Sequence, residues 1–133
     1  MSRTLRVLLL VHPYFRPDRR IRRSQTEYDV WRTLLDLGHK VEICAEQEHL
    51  RNFDRQLINF KPDIVFNLLE EFGDEGVYDF HLVSYLESLG IPATGCNPRG
   101  LILSRNKFLS LSAAQQMDVK IPGQRIFGRS SNV

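Results

Sequence analysis

Short apolar runs alternate with helix-length amphipathic segments along this chain, and no turn dipeptide joins two of the runs into a hairpin. Strands that are never joined directly must be joined by crossovers, which makes their sheet parallel and lays helices over both of its faces. The runs are Arg6 to Val11, Lys40 to Cys44 and Asp63 to Leu68, with a brief fourth at Ala93-Thr94. The spacing therefore predicts an α/β protein with a short parallel sheet.

The segments between the runs carry helix signals. Ser24-Gln25-Thr26-Glu27 fits a capping box, and a helix from Gln25 to Leu37 would place Tyr28, Trp31, Leu34 and Leu35 on one face before a C-cap at Gly38. Leu50, Phe53, Leu57, Ile58 and Phe60 recur at nearly 3.6 residues until Lys61-Pro62 stops the next helix. A third, ending at Gly90, would bury Val77, Phe80, Val83 or Tyr85, Leu86 and Leu89. Asn97-Pro98 opens a helical region reaching Met117 as one helix or two, and Gln124 to Phe127 reads as extended.

At 133 residues, 42% hydrophobic and 26% charged, the chain suits one globular domain. No apolar run approaches the roughly 20 residues of a membrane helix, and Val7 to Val11 is too short for a signal-peptide core. A cytoplasmic protein without a membrane partner is expected. Cys44 and Cys96 have no CxxC or histidine spacing around them, which favours neither a metal site nor a disulfide. The closing Gly-Arg-Ser-Ser-Asn-Val reads as a linker, as at the front of a longer protein.

Charge gathers after strands, where open α/β sheets bind ligands. Arg16, Arg19, Arg20, Arg22 and Arg23 follow the first strand, and Glu70, Glu71, Asp74 and Glu75 follow the third. The arginines could clamp an anion through bidentate hydrogen bonds or form a solvated loop; they lack the aromatic platform of a single-strand nucleic-acid site. Asp74, Glu75 and Asp79 are accounted for by the positive end of the helix they precede. Glu70 and Glu71 stand before the glycine turn and are substrate-binding candidates, together with His12 at the end of the first strand and Asn67 at the end of the third. Lys107, considered alone, is a solvated helix lysine. No catalytic nucleophile, metal cluster, GxGxxG or GxxxxGK[ST] loop is visible.

Asp63-Ile-Val-Phe-Asn-Leu-Leu-Glu70, the Gly-Asp-Glu-Gly turn at 73–76, Leu86-Glu-Ser-Leu-Gly-Ile-Pro-Ala-Thr-Gly95 and Asn106-Lys107 resemble the N-terminal portion of D-alanine:D-alanine ligase-like enzymes of the ATP-grasp superfamily. Val119-Lys-Ile-Pro-Gly-Gln is similar to the segment that leads out of that portion. The resemblance implies a three-layer, Rossmann-like pre-ATP-grasp domain over residues 1–122, with 123–133 a linker or the start of an ATP-grasp domain. It implies an ATP-dependent carboxylate–amine ligase acting through an acyl phosphate, with ATP and Mg2+ held largely by later domains and Lys107 helping to bind ATP. This stretch alone would not catalyse.

Two departures from the family pattern bear on the substrate. The family's histidine-glycine pair is replaced by Leu69-Glu70-Glu71, and its glycine-serine-rich first loop by His12-Pro-Tyr-Phe-Arg-Pro-Asp-Arg-Arg. An amino acid or carboxylate other than D-alanine is therefore an equal candidate, and a second copy of the chain is a candidate partner. Val7-Leu-Leu-Leu-Val-His-Pro-Tyr-Phe-Arg-Pro and Leu35-Asp-Leu-Gly-His-Lys-Val are also similar to the opening of two-domain sugar-nucleotide glycosyltransferases, which carry glycines where this loop has arginines. A stand-alone small-ligand binding module is the third alternative.

Overall fold

The computed structural model describes residues 3–13, 15, 26–45, 50–69 and 79–125. Its elements run β1 (Arg6–Leu10), α1 (Thr26–Asp36), β2 (Lys40–Cys44), α2 (Leu50–Phe60), β3 (Ile64–Asn67), α3 (Phe80–Ser88), α4 (Pro98–Arg105) and α5 (Lys107–Gln116). The sheet has the order β2-β1-β3 and both pairs are parallel, with Leu10 level with Cys44 on one side and with Asn67 on the other.

This order explains the layers. The chain steps from β1 to β2 in one direction and returns across β1 to reach β3, so crossovers of one hand put α1 and α2 on opposite faces. Leu9 and Val11 pack on one face with Tyr28, Trp31 and Leu34 of α1. Leu8, Leu10 and Val65 pack on the other with Phe53 and Leu57 of α2 and Leu82 and Leu86 of α3. The result is the expected three-layer, Rossmann-like α/β arrangement. Because β1 is central, Leu8 through Val11 are all fully buried, which is why that run is continuously apolar rather than alternating.

The helix ends follow their caps. Gly38 (φ 82°) and Gly90 (φ 69°) take the left-handed backbone that closes α1 and α3. Asn97 accepts a 2.8 Å hydrogen bond from the Gly100 amide, with Pro98 in the first position of α4. The region to Met117 is two helices: Asn106 is extended (φ −104°, ψ 98°), and its side chain accepts from Leu109 N to start a new helix.

Several expectations are corrected. The fourth strand shrinks to one bridge, Val65 with Ala93, although Val65 N donates to Pro92 O and Thr94 N to Val65 O. Pro92 has no N–H to extend the ladder, and Gly95 turns the chain at φ 94°. Ile58 is 68% exposed and Leu50 47%, so α2 buries only Phe53 and Leu57 and half-buries Phe60. Ile58 lies one position, about 100°, round the helix from Leu57. Leu89 is likewise exposed, just past the end of α3, while Leu82 joins Val83 and Leu86 in the core. Gln124 and Arg125 form no strand. Ser24, Gln25 and Val77 lie outside the described residues, as do Ile126 and Phe127. Among the described residues no helix is long and apolar enough to cross a membrane.

Candidate functional site

The strand order creates a topological switch point. Open α/β sheets bind ligands at the carboxyl ends of strands where the chain leaves a central strand to one side and later to the other, and here that point falls between β1 and β3. Leu68 N donates to Leu10 O, extending the pairing one step past Leu10 and Asn67. Continuing the register sets His12 beside Leu69, one residue before Glu70. His12 and Asn67 thus stand on neighbouring strand ends.

Each has local duties there. Phe15 N donates to His12 O at 2.9 Å, turning the chain after Pro13 so that Phe15 is buried on the α1 face. Asn67 N donates to Thr94 Oγ1, and Asn67 Oδ1 accepts from Leu69 N at 3.0 Å. The Asn67 carboxamide therefore shapes the exit of β3 as well as lining its end. Glu70 and Glu71, the arginines 16–23, and Asp74 and Glu75 lie outside the described residues.

Lys107 occupies a second feature at the same edge of the sheet. It is the exposed first residue of α5, in an open depression of about 550 Å³ lined by Phe80, Ile102, Arg105, Asn106, Lys107 and Leu109. Phe80 opens α3, which starts at the carboxyl edge because it follows β3. The Lys107 ammonium adds a full charge to the positive end of α5. Its lining of two cations, an amide and apolar walls suits an anion flanked by a flat or apolar group. That donor set does not suit Mg2+, and among the described residues no three His, Cys, Asp or Glu side chains gather as metal ligands.

The depression rests on a contact that local sequence reasoning misses. Asp79, with its side chain only 4% exposed, accepts two hydrogen bonds on Oδ2 from Arg105, from Nε at 2.8 Å and from Nη2 at 2.6 Å. It stands at the N-cap of α3 without a side-chain cap and is tied up in this buried ion pair. Asp79 Oδ1 is buried without a hydrogen-bond partner among the described residues. Both guanidinium donors converge on one oxygen instead of spreading across two, as a parallel fork would. The partners are 26 positions apart, and no periodicity or motif links them.

Other polar groups serve the scaffold. His39, just past the end of α1, is half-buried and accepts from Leu5 N through Nδ1 at 3.3 Å. Asp63 accepts from Arg6 N at 2.7 Å, and that backbone bond, with the Arg6 and Arg3 charges, holds its carboxyl below the ordinary 3.8. Tyr85 donates to Asp54 at 2.6 Å, which raises the phenol above its ordinary 10.0 and ties α3 to α2. His81 is exposed and stacks on Phe80, with ring centroids 4.3 Å apart. Cys44 is buried in β2, Cys96 is exposed before α4, and no disulfide joins them.

No family model matches the chain. It is similar to an uncharacterized protein, y4sG, of Sinorhizobium fredii, with 28% identity over 125 residues. The match covers 90% of this chain and 37% of that protein, so the chain spans little more than a third of its relative's length.

Proposed function

We propose that this chain is the N-terminal, substrate-binding portion of a cytoplasmic ATP-dependent carboxylate–amine ligase of the D-alanine:D-alanine ligase-like, ATP-grasp kind. The observation that carries the proposal is a pairing at one sheet edge: neighbouring strand ends with His12 and Asn67, and a cation-lined depression with Lys107. These strand ends offer an imidazole and a carboxamide to a polar amino acid or carboxylate. Glu70 and Glu71, which follow the same strand end, supply carboxylates suited to an ammonium group. Lys107 supplies positive charge for a nucleotide phosphate.

In the proposed reaction a substrate carboxylate oxygen attacks the γ-phosphorus of ATP and ADP leaves. An amine then attacks the acyl carbon, inorganic phosphate departs, and the amine gives up a proton. Magnesium would neutralise charge on the phosphates, and its ligands belong to parts of the protein outside the depression. The residues described here bind and orient, so the stretch by itself is not catalytic.

Calorimetry on the full natural chain tests this. A phosphate contact from a charged donor contributes about 1.5–3 kcal/mol, so Lys107→Ala should weaken ATP binding roughly 10- to 100-fold. An unchanged dissociation constant would remove Lys107 from the site. Binding of a sugar nucleotide in place of ATP would favour the transferase alternative.

A further inference from the structure

We infer that Asp79 and Arg105 form a latch that positions Lys107 for the anion, a step that rests on the nucleotide role of Lys107 proposed above. Lys107 has no rigid support of its own. It is exposed at the start of a helix with no buried residue, and α4, which precedes it, has none either. α4 packs on α3 without a fully buried side chain, so no apolar anchor fixes the α4–α5 junction. What the junction has instead is polar: Asn106 caps α5 through Leu109 N, and Arg105, two residues before Lys107, grips a carboxylate that is itself buried at the start of α3.

α3 is anchored in the core by Leu82 and Leu86, so Asp79 is a fixed point. Arg105 transmits that fixed point to the backbone on which Lys107 begins. A planar guanidinium making two hydrogen bonds to one oxygen restricts orientation as well as distance, which a lysine ammonium would not do. The Asp79 Oδ1 atom, buried without a partner among the described residues, marks a carboxylate placed for Arg105 rather than for general satisfaction of its own hydrogen bonds.

The sign of the effect separates a latch from simple charge. Asp79 lies near the proposed phosphate site, so neutralising it should by Coulomb's law alone leave ATP affinity unchanged or raise it. A latch predicts the reverse. In the full natural chain, with ATP and inorganic tripolyphosphate as probes, Asp79→Asn and Arg105→Lys should each weaken binding roughly three- to thirtyfold. Combined with Lys107→Ala, Asp79→Asn should add almost nothing, because the group being positioned is already gone.

A structural role without positioning would lower the unfolding midpoint and leave affinity in place. Arg105→Lys, on the half-exposed side of the pair, serves if Asp79→Asn fails to fold. The latch is overturned if the folded variants bind as tightly as the wild type or more so, or if the loss in Asp79→Asn adds in full to that of Lys107→Ala. If Lys107→Ala itself binds ATP normally, the underlying nucleotide role falls, and the latch with it.

Discussion

At the amino edge of the sheet the chain arrives through short returns, residues 37–39 before β2 and 61–63 before β3. At the carboxyl edge it departs through 11–25, 45–49 and 68–79. The short returns are stitched by hydrogen bonds: Lys40 N to Leu5 O, Asp63 N to Arg6 O, Leu5 N to His39 and Arg6 N to Asp63. At the other edge Asn67, Thr94 and the Arg105–Asp79 pair hold a wider frame around polar side chains. The contrast separates the edge that closes the fold from the edge that can meet a ligand.

Both edges depend on the strands between them, and the largest expected effect falls there. Leu9 is fully buried in the central strand, and Leu9→Ala should cost about 2–5 kcal/mol by removing packing and leaving a cavity. Urea denaturation should show an earlier midpoint with an unchanged slope. A loss near zero would mean that the α1 face does not support the sheet. A smaller effect distinguishes the edges. Thr94→Val removes the acceptor of the half-buried Asn67 amide, at about 1 kcal/mol. Hydrogen exchange should then accelerate at Asn67 while Arg6, held by Asp63, keeps its protection. Equal acceleration at both would erase the distinction between the edges.

What could be read from the residues follows the same division. Lys40–Cys44 and the ends of α1 and α3 were legible because strand composition and C-terminal glycines act locally. Apolar identity does not report which way a helix is turned, so Leu89, expected in the core, is exposed, and Ile58 is exposed although it fits the helical period. His12 and Asn67 could each be placed at a strand end, but that their strands are neighbours depends on the order β2-β1-β3, which alternation alone leaves open. The helix break before Lys107 was ambiguous because Asn106 could sit within a helix or cap one; its extended backbone decides it. Asp79 and Arg105 meet only through the packing of α4 against α3, and no local pattern announces such a pair.

The amino edge also carries the smallest expected effect, one that pH can isolate. Asp63 titrates below its ordinary 3.8 in the folded chain, first because its carboxylate accepts the Arg6 amide and then because of the Arg6 and Arg3 charges. A carboxyl that holds its proton less tightly when folded favours the folded state above its unfolded value, and the benefit fades as pH falls through the lowered folded value. Asp63→Asn removes that dependence. Melting temperature followed from neutral pH to below about pH 4 should fall less steeply in the variant than in the wild type. Solvent screening keeps the difference small, because Asp63 and its arginines lie at the surface. ATP affinity at neutral pH should not move, since the carboxylate works at the opposite edge from Lys107. A weakened affinity in Asp63→Asn would show that the two edges are coupled through the strands, and the division of labour between them would then fail.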